Sequence, residues 1–154
     1  MNEESIAERV AQMLVERELT LGTIECGVDG IVSHRLFQTE TGVDVLGDSL
    51  IVDDVGEAIG LMDLPRPQFK KAGDFSAKAA RAAARAGRDF LGVHVCLAVW
   101  AQGPVDPEAE QTVYVALDTG QTSVDRAFQV GGASGRDGIW LAEQALDMVG
   151  RALT

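Results

Sequence analysis

The sequence predicts an α/β fold, a three-layer α/β/α sandwich on a mixed β-sheet. Three observations predict it. Helical and strand-like segments interleave through the first two thirds of the chain. A hairpin signal, Asp118-Thr119-Gly120-Gln121, joins two strand-like runs late in the chain, so the sheet is not purely parallel. The run VHVCLAVW is β-branched and apolar apart from His94, as in a central strand covered by helices on both faces. At 154 residues the chain suits one domain, 1–154, with room for a core that needs no disulfide or metal staple.

Taken in order, Ile6, Val10, Met13 and Leu14 recur at helical spacing and predict an amphipathic helix over 4–17. LTLGTIEC predicts a short buried strand over 19–26. Gly27 breaks it, and VDGIVSHRLF predicts a helix over 28–37. DSLIVDD, apolar between acids, predicts a strand over 48–54, and EAIGLMDLP a short helix over 57–65 stopped by Pro65. The clearest helix is SAKAARAAARAGRDFL, 76–91. Ser76 can cap it, alanine has the highest helix propensity, and Gly92 ends it. A strand over 93–100 follows, then the hairpin, then a closing amphipathic helix over 137–153 with Ile139, Leu141, Ala145, Leu146, Val149 and Leu153 on one face.

Composition excludes several classes. Apolar residues make up 46% of the chain, too many for a disordered tail. No apolar run approaches the ~18 residues of a membrane span, and the acidic start MNEESIAERV lacks a signal-peptide layout. A cytoplasmic protein is the simplest expectation. The two cysteines, Cys26 and Cys96, do not make a disulfide framework. A net charge of −11 argues against nucleic acid or anionic membrane as the main partner. The charge is uneven. Arg66, Lys70, Lys71, Lys78, Arg81, Arg85 and Arg88 fall in one stretch with Asp74 alone against them, while residues 36–65 hold Glu40, Asp44, Asp48, Asp53, Asp54, Glu57 and Asp63 and no Lys or Arg. These are either solvated faces or complementary patches that meet in a homo-oligomer.

LTLGTIECGVDG, KAGDFSAKAARAAARAGRDFLGVHVCLAVW with the QGP after it, TVYVAL, and RDGIWLAEQALDMVGRAL match in order and spacing a known family. The chain resembles the C-terminal domain of the competence/damage-inducible protein CinA, from about Leu19 to its end. The resemblance implies the same three-layer fold. It also implies the reaction of many members, hydrolysis of the carboxamide of nicotinamide mononucleotide with release of ammonia. It implies no cofactor.

The family pattern is ESCTGG, with serine as nucleophile. Here those positions are Glu25, Cys26, Gly27, Val28, Asp29 and Gly30. A tyrosine and a lysine that activate the family's serine correspond to Val52 and to Glu57 or Ala58. Valine has no proton to move, and glutamate raises a neighbouring thiol's pKa. The family's LAVTGIAGP becomes LAVWAQGP, with Trp100 in place of a small polar residue, and Trp140 follows Ile139 where members tend to carry arginine. The expectation is a degenerate member without the serine machinery, a pseudoenzyme keeping a cleft for a small anionic ligand such as a mononucleotide, or serving in assembly. The alternatives are an active amidohydrolase using Cys26, and a purely structural oligomer.

Individual residues carry these alternatives. A thiol at a helix N-terminus gains from free N–H groups and the helix dipole, so Cys26 is the candidate nucleophile; Glu25 and Asp29 oppose its ionisation, and a buried small hydrophobe is the other reading. His34, eight residues on, and His94, in a distant strand, are poorly placed as its base. Cys96 reads as core. No Cys, His and Asp spacing marks a metal site, and the acids Asp48, Asp53 and Asp54 read as a solvated loop or a hard-cation cluster. VGGASGR leads into the last helix, so Gly131, Gly132, Ser134 and Arg136 are the expected phosphate cradle, or else a plain connecting loop. Glu25, Gly27, Gly30 and Gly103, the last beside Pro104, are the expected rim of the cleft.

Overall fold

The structure is a computed structural model that describes residues 5–64 and 75–154. Its elements are α1 (Ile6–Glu16), β1 (Leu21–Cys26), α2 (Ile31–Phe37), α3 (Gly42–Val45), β2 (Leu46–Val52), α4 (Val55–Met62), α5 (Ala77–Leu91), β3 (Val95–Trp100), β4 (Gln111–Asp118), β5 (Ser123–Val130), a 3₁₀ turn (Gly132–Ser134) and α6 (Gly138–Ala152). One sheet runs in the order β2-β1-β3-β4-β5. β1 pairs parallel with β2 and β3, while β4 is antiparallel to both β3 and β5. The expected mixed sheet is therefore present.

Chain direction explains the layers. The connection from β1 out to β2 and the one from β2 back past β1 to β3 travel in opposite directions. Parallel crossovers share one hand, so their helices fall on opposite faces. One core holds α1, α2, α3 and α6 against Leu21, Leu97, Val99, Val115 and Phe128. The other holds α4 and α5 against Ile24, Cys26, Val52, Ala98 and Trp100. Alternation along each strand divides its side chains between the two cores, which is why β1 and β3 are buried at every position.

Local chemistry sets most element ends. Ser5, Asp54, Ser76 and Asp137 cap α1, α4, α5 and α6, their side-chain oxygens accepting from Glu8, Glu57, Ala79 and Trp140 N–H. Gly92 closes α5 with φ 67°. The buried stripe of α5 is Ala79, Ala80, Ala83, Ala84 and Gly87. Small side chains let that helix lie close on the sheet with little rotamer entropy to lose; a larger residue at Ala83 would overpack it, at a cost of about 1–3 kcal/mol.

Several boundaries differ from the sequence-based expectation. α2 starts at Ile31, not 28, because Gly27, Asp29 and Gly30 all have left-handed φ (77°, 55° and 73°) and loop the chain before it coils. β2 starts at Leu46, immediately after the short, unforeseen helix α3. α4 begins at Val55 under its Asp54 cap; Pro65, Arg66, Lys70 and Lys71 lie outside the described residues. The hairpin closes at Asp118↔Ser123, one residue later than its sequence signal, with Thr119 N–H donating to Thr122 O at 2.9 Å. Among the described residues no helix is long and apolar enough to cross a membrane.

Candidate functional site

In an open α/β sheet a ligand crevice forms where adjacent parallel strands send the chain to opposite faces. Here those strands are β1 and β2, followed by α2 on one face and α4 on the other. The crevice would open beyond Cys26-Gly27 and Val52-Asp53, the positions that carry the family resemblance. It is closed. Gly27 N–H donates to Val52 O at 3.0 Å and Ala101 N–H to Cys26 O at 3.0 Å, so the ladder runs to the strand ends. A Cβ on Gly27 would lie 2.3 Å from Ala101 O, so this glycine serves backbone packing.

The side chains in this row are apolar or neutral. Register places Val52, Cys26, Trp100 and Tyr114 side by side across four strands. All four belong to the α4/α5 layer, and the Cys26 and Trp100 side chains are fully covered. Trp100 stands between the thiol and the phenol of Tyr114, two strands or ~10 Å away. Val52, at the expected tyrosine position, is core, as is Ala58; Glu57 is exposed on α4. Burial pushes the Cys26 thiol up to about 12, and the charges of Asp54, Glu57 and Asp53 add to it. A neutral, covered thiol is a poor nucleophile.

Cys26 is not at a helix N-terminus, contrary to the expectation that made it a candidate. It ends β1 and faces α4 and α5, whereas α2 starts five residues later in the opposite layer. The N-terminus of α2 belongs to Glu25. This fully buried carboxylate accepts from Val32 N–H at 2.8 Å and Ser33 N–H at 3.1 Å. The Thr23 hydroxyl adds a third bond at 2.9 Å and can itself accept from Ser49 Oγ at 2.7 Å. Glu25 therefore caps a helix from the strand that precedes it. The signal was faint but present: Gly30, the N-cap of α2, has no side chain with which to cap it.

Neither histidine reaches Cys26. His34 lies on α2 beyond the sheet and pairs with Gln38. His94 lies at the far end of β3, ~20 Å along the strand from Trp100, where its Nδ1 accepts from Thr20 N–H at 3.0 Å. Cys96 is core, with its thiol likewise pushed to about 12, first by burial, then by Asp118, with Arg88 opposing. Among the described residues no three of His, Cys, Asp and Glu converge to hold a metal ion, and Asp48, Asp53 and Asp54 form no such cluster.

In the expected phosphate cradle, several backbone N–H groups bond within the chain. Gly131 N–H donates to Arg136 O, Gly132 N–H to Asp106 O, Ser134 N–H to Gly131 O and Gly135 N–H to Gly132 O. Ser134 Oγ donates to Gly131 O at 2.7 Å and accepts from Arg136 N–H at 3.2 Å. The Asp137 carboxylate caps α6, where an anion would otherwise sit. A Cβ on Gly131 would lie 2.3 Å from Asp106 O, so the glycines allow two loops to pack and not a ligand to approach. Arg136 lies 4.4 Å above the Trp140 ring, which meets Phe128 edge-on at 5.6 Å. Trp140 thus anchors the start of α6. Gly103 touches nothing through a Cβ, and its carbonyl accepts from Gln111 Nε2 at 2.8 Å. Of the expected ligand residues, Gly131, Gly132, Ser134 and Arg136 form one closed loop, while Glu25, Gly27 and Gly30 support the β1–α2 junction.

Known structures share this architecture. A competence or damage-inducible protein from Enterobacter asburiae superposes with TM-score 0.81 at 16% identity, covering 99% of this chain and 100% of that one. A CinA superfamily protein from Enterobacter cloacae gives 0.74 at 18%, covering 99% and 93%, and a competence/damage inducible protein from Agrobacterium tumefaciens gives 0.73 at 15%, covering 99% of each. At such identities the likeness is one of fold. No curated protein matches the chain. The CinA C-terminal domain model matches residues 3–153, and with that the sequence resemblance becomes a classification: the chain belongs to the CinA C-terminal domain family.

Proposed function

We propose that this chain is a pseudoenzyme of the family, an amidohydrolase scaffold whose reaction centre is packed shut. The observation that carries the reading is the Val52-Cys26-Trp100 row, in which an aliphatic side chain, a neutral thiol and an indole fill the end of β1. Hydrolysing a carboxamide requires a nucleophile, a base to take its proton and room for a tetrahedral carbon. Cys26 is covered, its neighbours in the row carry no base, and Trp100 takes up the space. Loop 131–136 does not favour phosphate either, since the N–H groups of Gly131, Gly132, Ser134, Gly135 and Arg136 already have partners within the chain. The scaffold's role is then binding or assembly through its surface.

The test is to incubate the purified protein with nicotinamide mononucleotide and measure ammonia. The expected result is release at the blank rate, unchanged in Cys26→Ala. Turnover that scales with protein and disappears in Cys26→Ala would overturn the reading in favour of a cysteine amidohydrolase. A thermal shift measures binding separately. A ligand at 100 times its Kd adds ~2.7 kcal/mol, or ~5–10 °C for a chain of this size. Nicotinamide mononucleotide should give no shift of that order.

A further inference from the structure

On a chain of net charge −11, the outer side of α5 carries a short row of positive charge. Lys78, Arg81 and Arg85 follow at three- and four-residue steps and so share one side of the helix. All three are exposed, and they wall an open groove of about 410 Å³ that the half-buried Ala82 and Ala86 line between them. Asp125, on β5, holds Arg81 at 2.9 Å, whereas Lys78 and Arg85 have no ion-pair partner among the described residues. Ser123 and Asp89 complete the lining. Asp89, one turn past Arg85, ends the positive row.

We propose that this groove docks a short acidic segment of another protein. Its carboxylates would pair with Lys78 and Arg85, and its aliphatic stems would lie against Ala82 and Ala86. Charge complementarity carries the choice of partner, as where arginine clusters read acidic motifs. Length excludes a long polyanion. Lys78 and Arg85 are seven residues or ~10 Å apart along the helix, and Asp89 stands at one end. Duplex DNA carries a charge every ~1.7 Å and would run off the row onto an acidic protein. The groove follows the body of the helix and not its N-terminus, so it offers point charges without the backbone N–H cradle that favours phosphate. The chain's own exposed acids, Asp53, Asp54 and Glu57, follow β2 at the opposite edge of the sheet from β5, so they do not adjoin the groove. The proposal names a partner for the binding role inferred above and fails separately from it, because ammonia release tests that reading and peptide binding tests this one.

Fluorescence anisotropy of a labelled hexaglutamate titrated with the full chain at ~50 mM salt tests this, with hexaglutamine as the uncharged control. The expected result is saturable binding of hexaglutamate alone, weakened ~10-fold at ~500 mM salt, where the Debye length is severalfold shorter. Lys78→Glu/Arg85→Glu should weaken it at least ~10-fold. Arg9→Glu/Arg151→Glu makes the same charge change on α1 and α6 and should bind like wild type. Ala82→Gln/Ala86→Gln fills the groove without altering charge and should weaken binding severalfold. Circular dichroism checks that each variant folds, and Lys78→Gln/Arg85→Gln replaces the reversal if that variant does not. A wild type without saturable binding, an equal loss in Arg9→Glu/Arg151→Glu, or a filled groove that binds like wild type would overturn the proposal. So would inorganic triphosphate displacing the probe at lower concentration than unlabelled hexaglutamate, which would give the groove to phosphate. Sedimentation showing a wild-type dimer that Lys78→Glu/Arg85→Glu abolishes would overturn it in favour of a second copy.

Discussion

The Cys26 thiol offers the most direct test of the proposed closure of the reaction centre. Its pKa is pushed from an ordinary 9.0 up to about 12, chiefly by burial, with Asp54, Glu57 and Asp53 adding to the effect. At pH 8 an ordinary thiol is about one tenth ionised, whereas one at about 12 is ionised in about one molecule in ten thousand. Alkylation of the native protein should therefore run ~1,000-fold slower than that of the unfolded chain, and slower still because the side chain is covered. Cys96 behaves alike, so a Cys96→Ala variant isolates Cys26. Iodoacetamide labelling followed by mass spectrometry, across pH and with or without denaturant, reads the ratio. The same shifts govern stability in alkali. The folded-state pKa lies above the unfolded value, so between pH 9 and about 12 the unfolded chain releases protons that the native state keeps. The stability each buried thiol contributes is intact below pH 9 and falls above it, by about 1.4 kcal/mol per pH unit. Native labelling at pH 8 within ~10-fold of the unfolded rate would refute the argument and reopen Cys26 as a nucleophile.

Other variants probe the supports around that centre. Glu25→Ala strands two buried N–H donors of α2 and should cost about 3 kcal/mol, read as a fall in Tm of roughly 6–12 °C. Trp100→Ala empties the middle of the row and should cost ~3–5 kcal/mol in urea unfolding, while ammonia release stays at the blank. Gly131→Ala forces a side chain against Asp106 O at a left-handed φ and should cost ~2 kcal/mol or more, whereas Gly103→Ala, with nothing near its Cβ, should change stability by less than ~0.5 kcal/mol. The two melts measured side by side check that contrast.

Much of this molecule could be read from its residues in order. The alanine stripe and Ser76 cap specify α5, the apolar run specifies β3, and the two crossovers with a late hairpin specify a mixed sheet under two helical layers, because periodicity and capping act between near neighbours. The loss of the family's tyrosine and lysine at Val52 and Glu57 or Ala58 is equally plain in the sequence, since it is a change of chemical type. Direction and occupancy were not legible. Cys26 and Glu25 are adjacent, and the pleat sends them to opposite faces: one beside Trp100 under α4 and α5, the other onto the N-terminus of α2. Glycines 131 and 132 read equally as a cradle for an anion or as room for a passing loop, until the 106–110 segment arrives to take the space. Strand register and loop packing join residues 25 to 75 positions apart, and those long-range contacts decide which side chain meets which.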